Sequence, residues 1–207
     1  MKLHRVGKKA DWDKLKARNR NNWQRLAVKT HGIITPGNII SVVGFVLVVT
    51  GLWYIYNNHT ILGVMAVLTG RVLDIADGIL ADKTGTKSPL GEVIDASIDK
   101  LEIALALPVM VISAILLPWQ AIVLVVQHLA NVIFAGITKA RGILPHASRS
   151  GKYATTAQWG SVVLYGIAKA NLDHIGLRST GHVIFGLSVV LGLMATAGYA
   201  KNAFKKI

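Results

Sequence analysis

The sequence predicts an all-α fold: an integral membrane bundle of six transmembrane helices behind a basic N-terminal helix. Three observations carry that expectation. The chain is 52% apolar over 207 residues, with a mean hydropathy of +0.47, too greasy for an ordinary soluble domain of this size. The apolar residues fall in blocks near the roughly 20 residues that cross a bilayer, at 38–56, 61–81, 90–117, 119–138, 155–172 and 180–200. Basic residues gather in alternate connections between those blocks, the positive-inside pattern.

Residues 1–37 form a basic arm and residues 38–207 the membrane domain. The arm carries ten Lys/Arg and no apolar h-region, so it is not a cleavable signal peptide. Within it, 8–30 holds Trp12, Leu15, Trp23 and Leu26 among basic residues. It reads either as an interfacial helix on an anionic leaflet or as a solvated arm. Pro36 and Gly37 mark the start of the first span, whose stretch IISVVGFVLVVTGLWYIY (39–56) has almost no polar face. A soluble amphipathic helix would show one. Gly85 and Pro89 punctuate the short connection between spans two and three. His128 and Asn131 in span four read as bridges between helices, and GLSVVLG (186–192) in span six as a close-packing surface. Trp53, Tyr54, Tyr56 and Trp119 fall near span ends as interfacial anchors.

With a cytoplasmic N-terminus, six crossings return the C-terminus to the same side. Segments 1–37, 82–89, 139–154 and 201–207 then carry nineteen of the 23 Lys/Arg, while the opposite connections carry only Arg178. The formal charge of +13 is thus explained by topology rather than by a nucleic-acid partner. There is no cysteine, which excludes disulfides and thiolate metal sites. The expected location is a multi-pass cell-membrane protein with both termini and the active site cytoplasmic.

Spans two and three break the apolar pattern. The stretch 73–102, LDIADGILADKTGTKSPLGEVIDASIDKLE, holds seven of the ten acidic residues. Asp74 and Asp77 are three apart and Asp95 and Asp99 four apart, so each pair shares a helical face. The connection folds the two helices back so that four carboxylates converge at their cytoplasmic ends. Charged groups in spans are costly and usually mark function. Oxygen-only ligands suit a hard divalent ion such as Mg²⁺ or Mn²⁺, and Gly78 and Gly91 leave room for a phosphorylated group. The alternative is a structural network neutralised by Arg71, one turn before Asp74, and Lys100, beside Asp99. Spacing alone leaves both open.

The same residues carry a resemblance. Asp74-x₂-Asp77-Gly78-x₂-Ala81-Asp82-x₈-Gly91-x₃-Asp95-x₃-Asp99 resembles the signature of the CDP-alcohol phosphotransferases, D-x₂-D-G-x₂-A-R-x₈-G-x₃-D-x₃-D, a six-helix membrane family. The resemblance implies transfer of a phosphatidyl group from a CDP-linked lipid such as CDP-diacylglycerol to a small polar alcohol, releasing CMP. It implies that Asp74, Asp77, Asp95 and Asp99 hold Mg²⁺ or Mn²⁺, two ions in the usual arrangement, with Asp99 the catalytic general base. Asp74, Gly78, Ala81 and Gly91 would meet the nucleotide. Asp82 departs from the family Arg. Either Lys83 takes over the nucleotide contact or nucleotide binding is degenerate; Asp82 itself would pair with Lys83 or Lys87.

A second stretch, GKYATTAQ (151–158), resembles the GKxKTTAQ segment of bacterial phosphatidylglycerophosphate synthases, departing at Ala154. With it, Lys139, Arg141, Arg149, Lys152, Thr155 and Gln158 become candidate acceptor-binding residues. A basic pocket suits a phosphorylated acceptor: glycerol 3-phosphate first, inositol phosphate second. The alternative for these cations is inside-positive loop charge alone. Relatives of this kind often pair, so the resemblance allows a homodimer through the later spans. Two rivals of other classes are a divalent-cation transporter, disfavoured by outer halves nearly free of acids, and an inactive lipid-binding scaffold, motivated by Asp82.

Overall fold

The computed structural model describes residues 22–141, 149–172 and 176–204, and all of its regular structure among them is helical. The helices are α1 (Asn22–Lys29), α2 (Pro36–Tyr56), α3 (Thr60–Thr84), α4 (Pro89–Ile112), α5 (Pro118–Ala140), α6 (Arg149–Ile167) and α7 (Leu177–Phe204). A π-helical turn, Ala168–Leu172, extends α6. The six long helices stand where the six apolar blocks were expected. By length and composition, α2, α7 and the Pro118–Thr138 part of α5 are long and apolar enough to cross a membrane. Of the expected basic helix at 8–30, α1 covers the last part; residues 1–21 lie outside the described residues.

Local chemistry sets the boundaries. Thr35 caps α2 by accepting from the Asn38 N–H at 3.1 Å, and Pro36 follows at the first helical position, where its missing N–H costs nothing. Gly85 ends α3 in the left-handed conformation at φ 62°. There the Thr86 N–H bonds to Ala81 O and the Gly85 N–H to Asp82 O, both at 3.1 Å, the paired C-terminal motif that glycine favours. Pro89 then opens α4. The third block was expected to run to 117, but α4 ends at Ile112. Ala114 turns to φ 52°, and the Ile115 and Leu116 N–H groups fold back onto Met110 O. An apolar run cannot reveal a stop made by backbone hydrogen bonds.

The chain divides into two compact units, residues 2–109 and 110–207. In the first, α2 and α3 pack along their length on glycines. A Cβ at Gly51 would lie 2.6 Å from Gly63 O, and one at Gly70 2.6 Å from Gly44 O. Backbones this close are the small-residue packing that is also common between membrane helices.

In the second unit, α5, α6 and α7 are tied by polar side chains. Gln158 donates to Gln127 Oε1 at 2.7 Å and Gln127 donates to Val189 O at 3.2 Å. Thr196 donates to Asn131 Oδ1 at 2.7 Å, and Gln120 donates to Tyr165 Oη at 2.9 Å. Asn131 thus bridges helices as expected, whereas His128 bonds within its own helix, to Leu124 O. Gly192 of GLSVVLG is pressed against Gln127, while Gly186 has open space around it. Trp53, Tyr56 and Trp119 are exposed at helix ends.

Candidate metal and nucleotide site

The first unit gathers the acidic residues. On α3, positions 71, 74, 77, 78 and 81 follow helical spacing along one side. They carry Arg71, Asp74, Asp77, Gly78 and Ala81. On α4, Gly91, Asp95, Asp99 and Glu102 recur every three or four residues. One carboxylate oxygen from each of Asp74, Asp77 and Asp95 lies within 4.8 Å of the others. That is close to the span of oxygens around one hard cation, about 3–4 Å for bonds of about 2.1 Å. The donor set is all oxygen, so these three residues fit Mg²⁺ or Mn²⁺.

Asp99, the fourth aspartate, stands differently. Arg71 reaches it with Nη1 at 3.2 Å and reaches Asp74 with Nη2 at 3.1 Å. The same Nη1 is bonded to Glu102, whose side chain is 1% exposed. The guanidinium therefore bridges three acids of α3 and α4. Arginine is suited to this because its planar fork offers five donors in fixed directions. The structure thus holds both arrangements that the sequence left open: an oxygen cluster with metal spacing, and beside it a network neutralised by arginine.

Asp77 is buried and accepts a hydrogen bond from Ser41 of α2, whose one hydroxyl proton is shared with Gly37 O at 3.1 Å. A buried carboxylate needs such donors, and one of its two oxygens remains able to take a metal.

Beside the cluster opens a cleft lined by Asn38, Ser41, Gly78, Ala81, Thr86, Lys87, Ser88 and Gly91, together with Asp77 and Asp95. Its wall is pinned by one carbonyl: Gly32 O accepts from Asn38 Nδ2 at 3.0 Å and from Ser88 Oγ at 3.2 Å. Gln24 of α1 donates to Thr84 O at 3.1 Å, which docks the end of the basic arm on the same connection. The two glycines differ. A Cβ at Gly78 would meet nothing within 4 Å, whereas one at Gly91 would meet Asn38 and Ser88 at 3.0 and 3.1 Å. A side chain at Gly91 would crowd Asn38 and Ser88, whereas Gly78 borders open space in the cleft.

Asp82 pairs with Lys87 at 2.6 Å, one of the two partners expected for it. Lys83 is exposed and absent from the cleft wall, where Lys87 is the cation. The sequence reading missed Ser41, Asn38 and the place of Lys87. The signal was present: Asn38 and Ser41 are polar residues one turn apart at the start of a mostly apolar helix.

The expected acceptor residues belong to the second unit. Arg141 and Lys152 are exposed. Thr155 donates to Gly151 O of its own helix at 3.1 Å, and Gln158 is buried on Gln127. Lys139 and Arg149 stand in α5 and α6, their side chains outside the described residues.

A model of the CDP-alcohol phosphatidyltransferase family matches residues 34–195. The chain is also similar to an archaetidylinositol phosphate synthase of Pyrococcus horikoshii, 35% identical over 68 residues, which is 33% of this chain and 36% of that relative. It thus matches about a third of that curated relative's length. The family match runs from the cap of α2 well into α7 and takes in every acidic residue of the cluster: the chain belongs to the CDP-alcohol phosphatidyltransferase family, a family of transferases.

Proposed function

We propose that this protein is a six-span membrane enzyme that transfers the phosphatidyl-type group of a CDP-linked lipid to a phosphorylated alcohol, with glycerol 3-phosphate the leading acceptor. The observation that carries the reading is the convergence of Asp74, Asp77 and Asp95 oxygens at a cleft bordered by Gly78, Ala81 and Lys87. Asp74, Asp77 and Asp95, joined by Asp99, would hold Mg²⁺ or Mn²⁺, two ions when Asp99 takes part. Bound there, the ions supply charge neutralisation for a diphosphate and stabilise charge developing at phosphorus. In the transfer, the acceptor hydroxyl oxygen forms a bond to the lipid-side phosphorus. The bond from that phosphorus to the CMP phosphate oxygen breaks, CMP leaves, and Asp99 takes the hydroxyl proton. The nucleotide lies along Asp74, Gly78, Ala81 and Gly91. Lys83 is the nucleotide contact of this reading, and Lys87, paired with Asp82, brings a second cation to the cleft.

Lys139, Arg141, Arg149, Lys152, Thr155 and Gln158 remain the acceptor residues of this reading, and the protein sits in the cell membrane with termini and site cytoplasmic. The GKYATTAQ stretch favours glycerol 3-phosphate. The second reading, inositol phosphate, is favoured by the relative's name.

The test is CMP release by purified protein with Mg²⁺ or Mn²⁺. Donors are CDP-diacylglycerol and its archaetidyl counterpart; acceptors are glycerol 3-phosphate, inositol phosphate, serine and inositol. Release with one phosphorylated acceptor, abolished in Asp99→Asn, is the expected result. Equal release in Asp99→Asn would remove Asp99 as the base, and release with serine alone would overturn the acceptor class.

A further inference from the structure

Resting on the metal reading above, we infer that Glu102 is a positioning residue: it anchors Arg71 as the site's resident counter-cation and thereby sets how tightly the aspartates hold a divalent ion. Glu102 lies outside the clustered set of aspartate oxygens and is nearly inaccessible. Its recorded partner is Arg71 Nη1, the nitrogen that also meets Asp99. A buried carboxylate without a cation would be strongly unfavourable, so Glu102 fixes where the guanidinium sits. That place matters because Arg71 also holds Asp74, a member of the oxygen cluster. A divalent ion and a guanidinium compete for the same carboxylate oxygens, and Coulomb attraction between groups a few ångströms apart is large at reduced dielectric. Glu102 draws part of the arginine's charge away from Asp74 and Asp99. It leaves the cluster partly neutralised, so that it tolerates its own repulsion, yet still open to a metal.

The inference predicts opposite effects from two variants. In Glu102→Gln the guanidinium loses its anionic anchor and settles on Asp74 and Asp99. Mn²⁺ should then bind about tenfold more weakly, the scale of one lost charge interaction at partial burial. In Arg71→Gln/Glu102→Gln the competing cation is gone and no buried charge is orphaned, so Mn²⁺ should bind more tightly than to the wild type.

Mn²⁺ alone, titrated into the full-length protein in detergent and followed by its electron paramagnetic resonance signal, measures this without turnover. Thermal unfolding is read alongside. Weakening in the single variant and tightening in the double one establish that Glu102 acts through Arg71. Wild-type affinity in both variants, with only a drop in thermal stability, overturns the inference in favour of a purely structural pair. Equal weakening in both overturns it in favour of a direct charge effect of Glu102. If Glu102→Gln fails to fold, the double variant decides alone: tighter binding supports the inference, and equal or weaker binding overturns it. A wild-type protein that binds no Mn²⁺ overturns the metal reading and this inference together.

Discussion

Neighbouring residues on α3 obey different constraints. Asp77 is buried and satisfied by Ser41, so its carboxylate is fixed in direction by a hydroxyl from another helix. Gly78 next to it is exposed at the cleft. No protein atom would obstruct a methyl group there. Gly78→Ala should therefore leave the fold intact or gain about 0.5–1 kcal/mol from helix propensity. CMP binding should fall about tenfold, the equivalent of about 1.4 kcal/mol, because the methyl group takes up nucleotide space. Calorimetric CMP titration beside thermal unfolding reads both. Unchanged CMP affinity would remove Gly78 from the nucleotide site. Gly91→Ala is the contrast: its Cβ meets Asn38 and Ser88, both tied to Gly32 O, so it should cost about 1–3 kcal/mol of stability by overpacking. At this scale the motif spacing announced which positions matter. It does not show that a side chain would be crowded at Gly91 and free at Gly78.

Helix contacts in the first unit depend on small residues placed opposite each other. Gly44 and Gly51 of α2 face Gly70 and Gly63 of α3, and α2 is otherwise a nearly uniform apolar rod. Gly70→Leu must push α2 and α3 apart and should lower stability by about 1–3 kcal/mol or more. Gly186→Leu, on an open part of α7, should stay within about 0.5 kcal/mol. Thermal midpoints in detergent compare them; equal losses would show that Gly186 packs against something beyond this chain, such as a second copy. The six apolar blocks predicted six helices because block length is written directly in the sequence. The early stop of α4 was not, since Ala114 adopts a positive φ that its side chain does not advertise. Composition also separates the helices: α3 and α4 carry the acids, and α6 opens with Arg149 and Lys152. The helices that read most plainly as spans, α2, α5 and α7, are those without the site's charges.

For the whole molecule, the proposed topology makes a prediction that chemistry can read directly, because the chain has no cysteine of its own. Single cysteines at Asn57 and Ser179 should react with a membrane-impermeant maleimide on intact cells. Those at Arg141 and Asn202 should react only after permeabilisation. All four positions are exposed, so silence would report sidedness rather than burial. Simultaneous labelling at Asn57 and Arg141 from outside would break the six-span, both-termini-inside arrangement.

The helical class, the places of the long helices, the acidic residues and, through their spacing, the family are all legible along the linear chain. These follow from local rules: apolar length, helical periodicity and fixed motif intervals are visible in one dimension. Which acids meet which partners depends on the folded arrangement. It brought Asp74, Asp77 and Asp95 together while Arg71 engaged Asp74, Asp99 and Glu102. It supplied Ser41 to Asp77 and put Lys87 rather than Lys83 on the cleft. Those outcomes depend on distances between side chains of different helices. A few ångströms decide which carboxylate oxygens cluster and which meet a guanidinium, and spacing along one helix does not encode that difference.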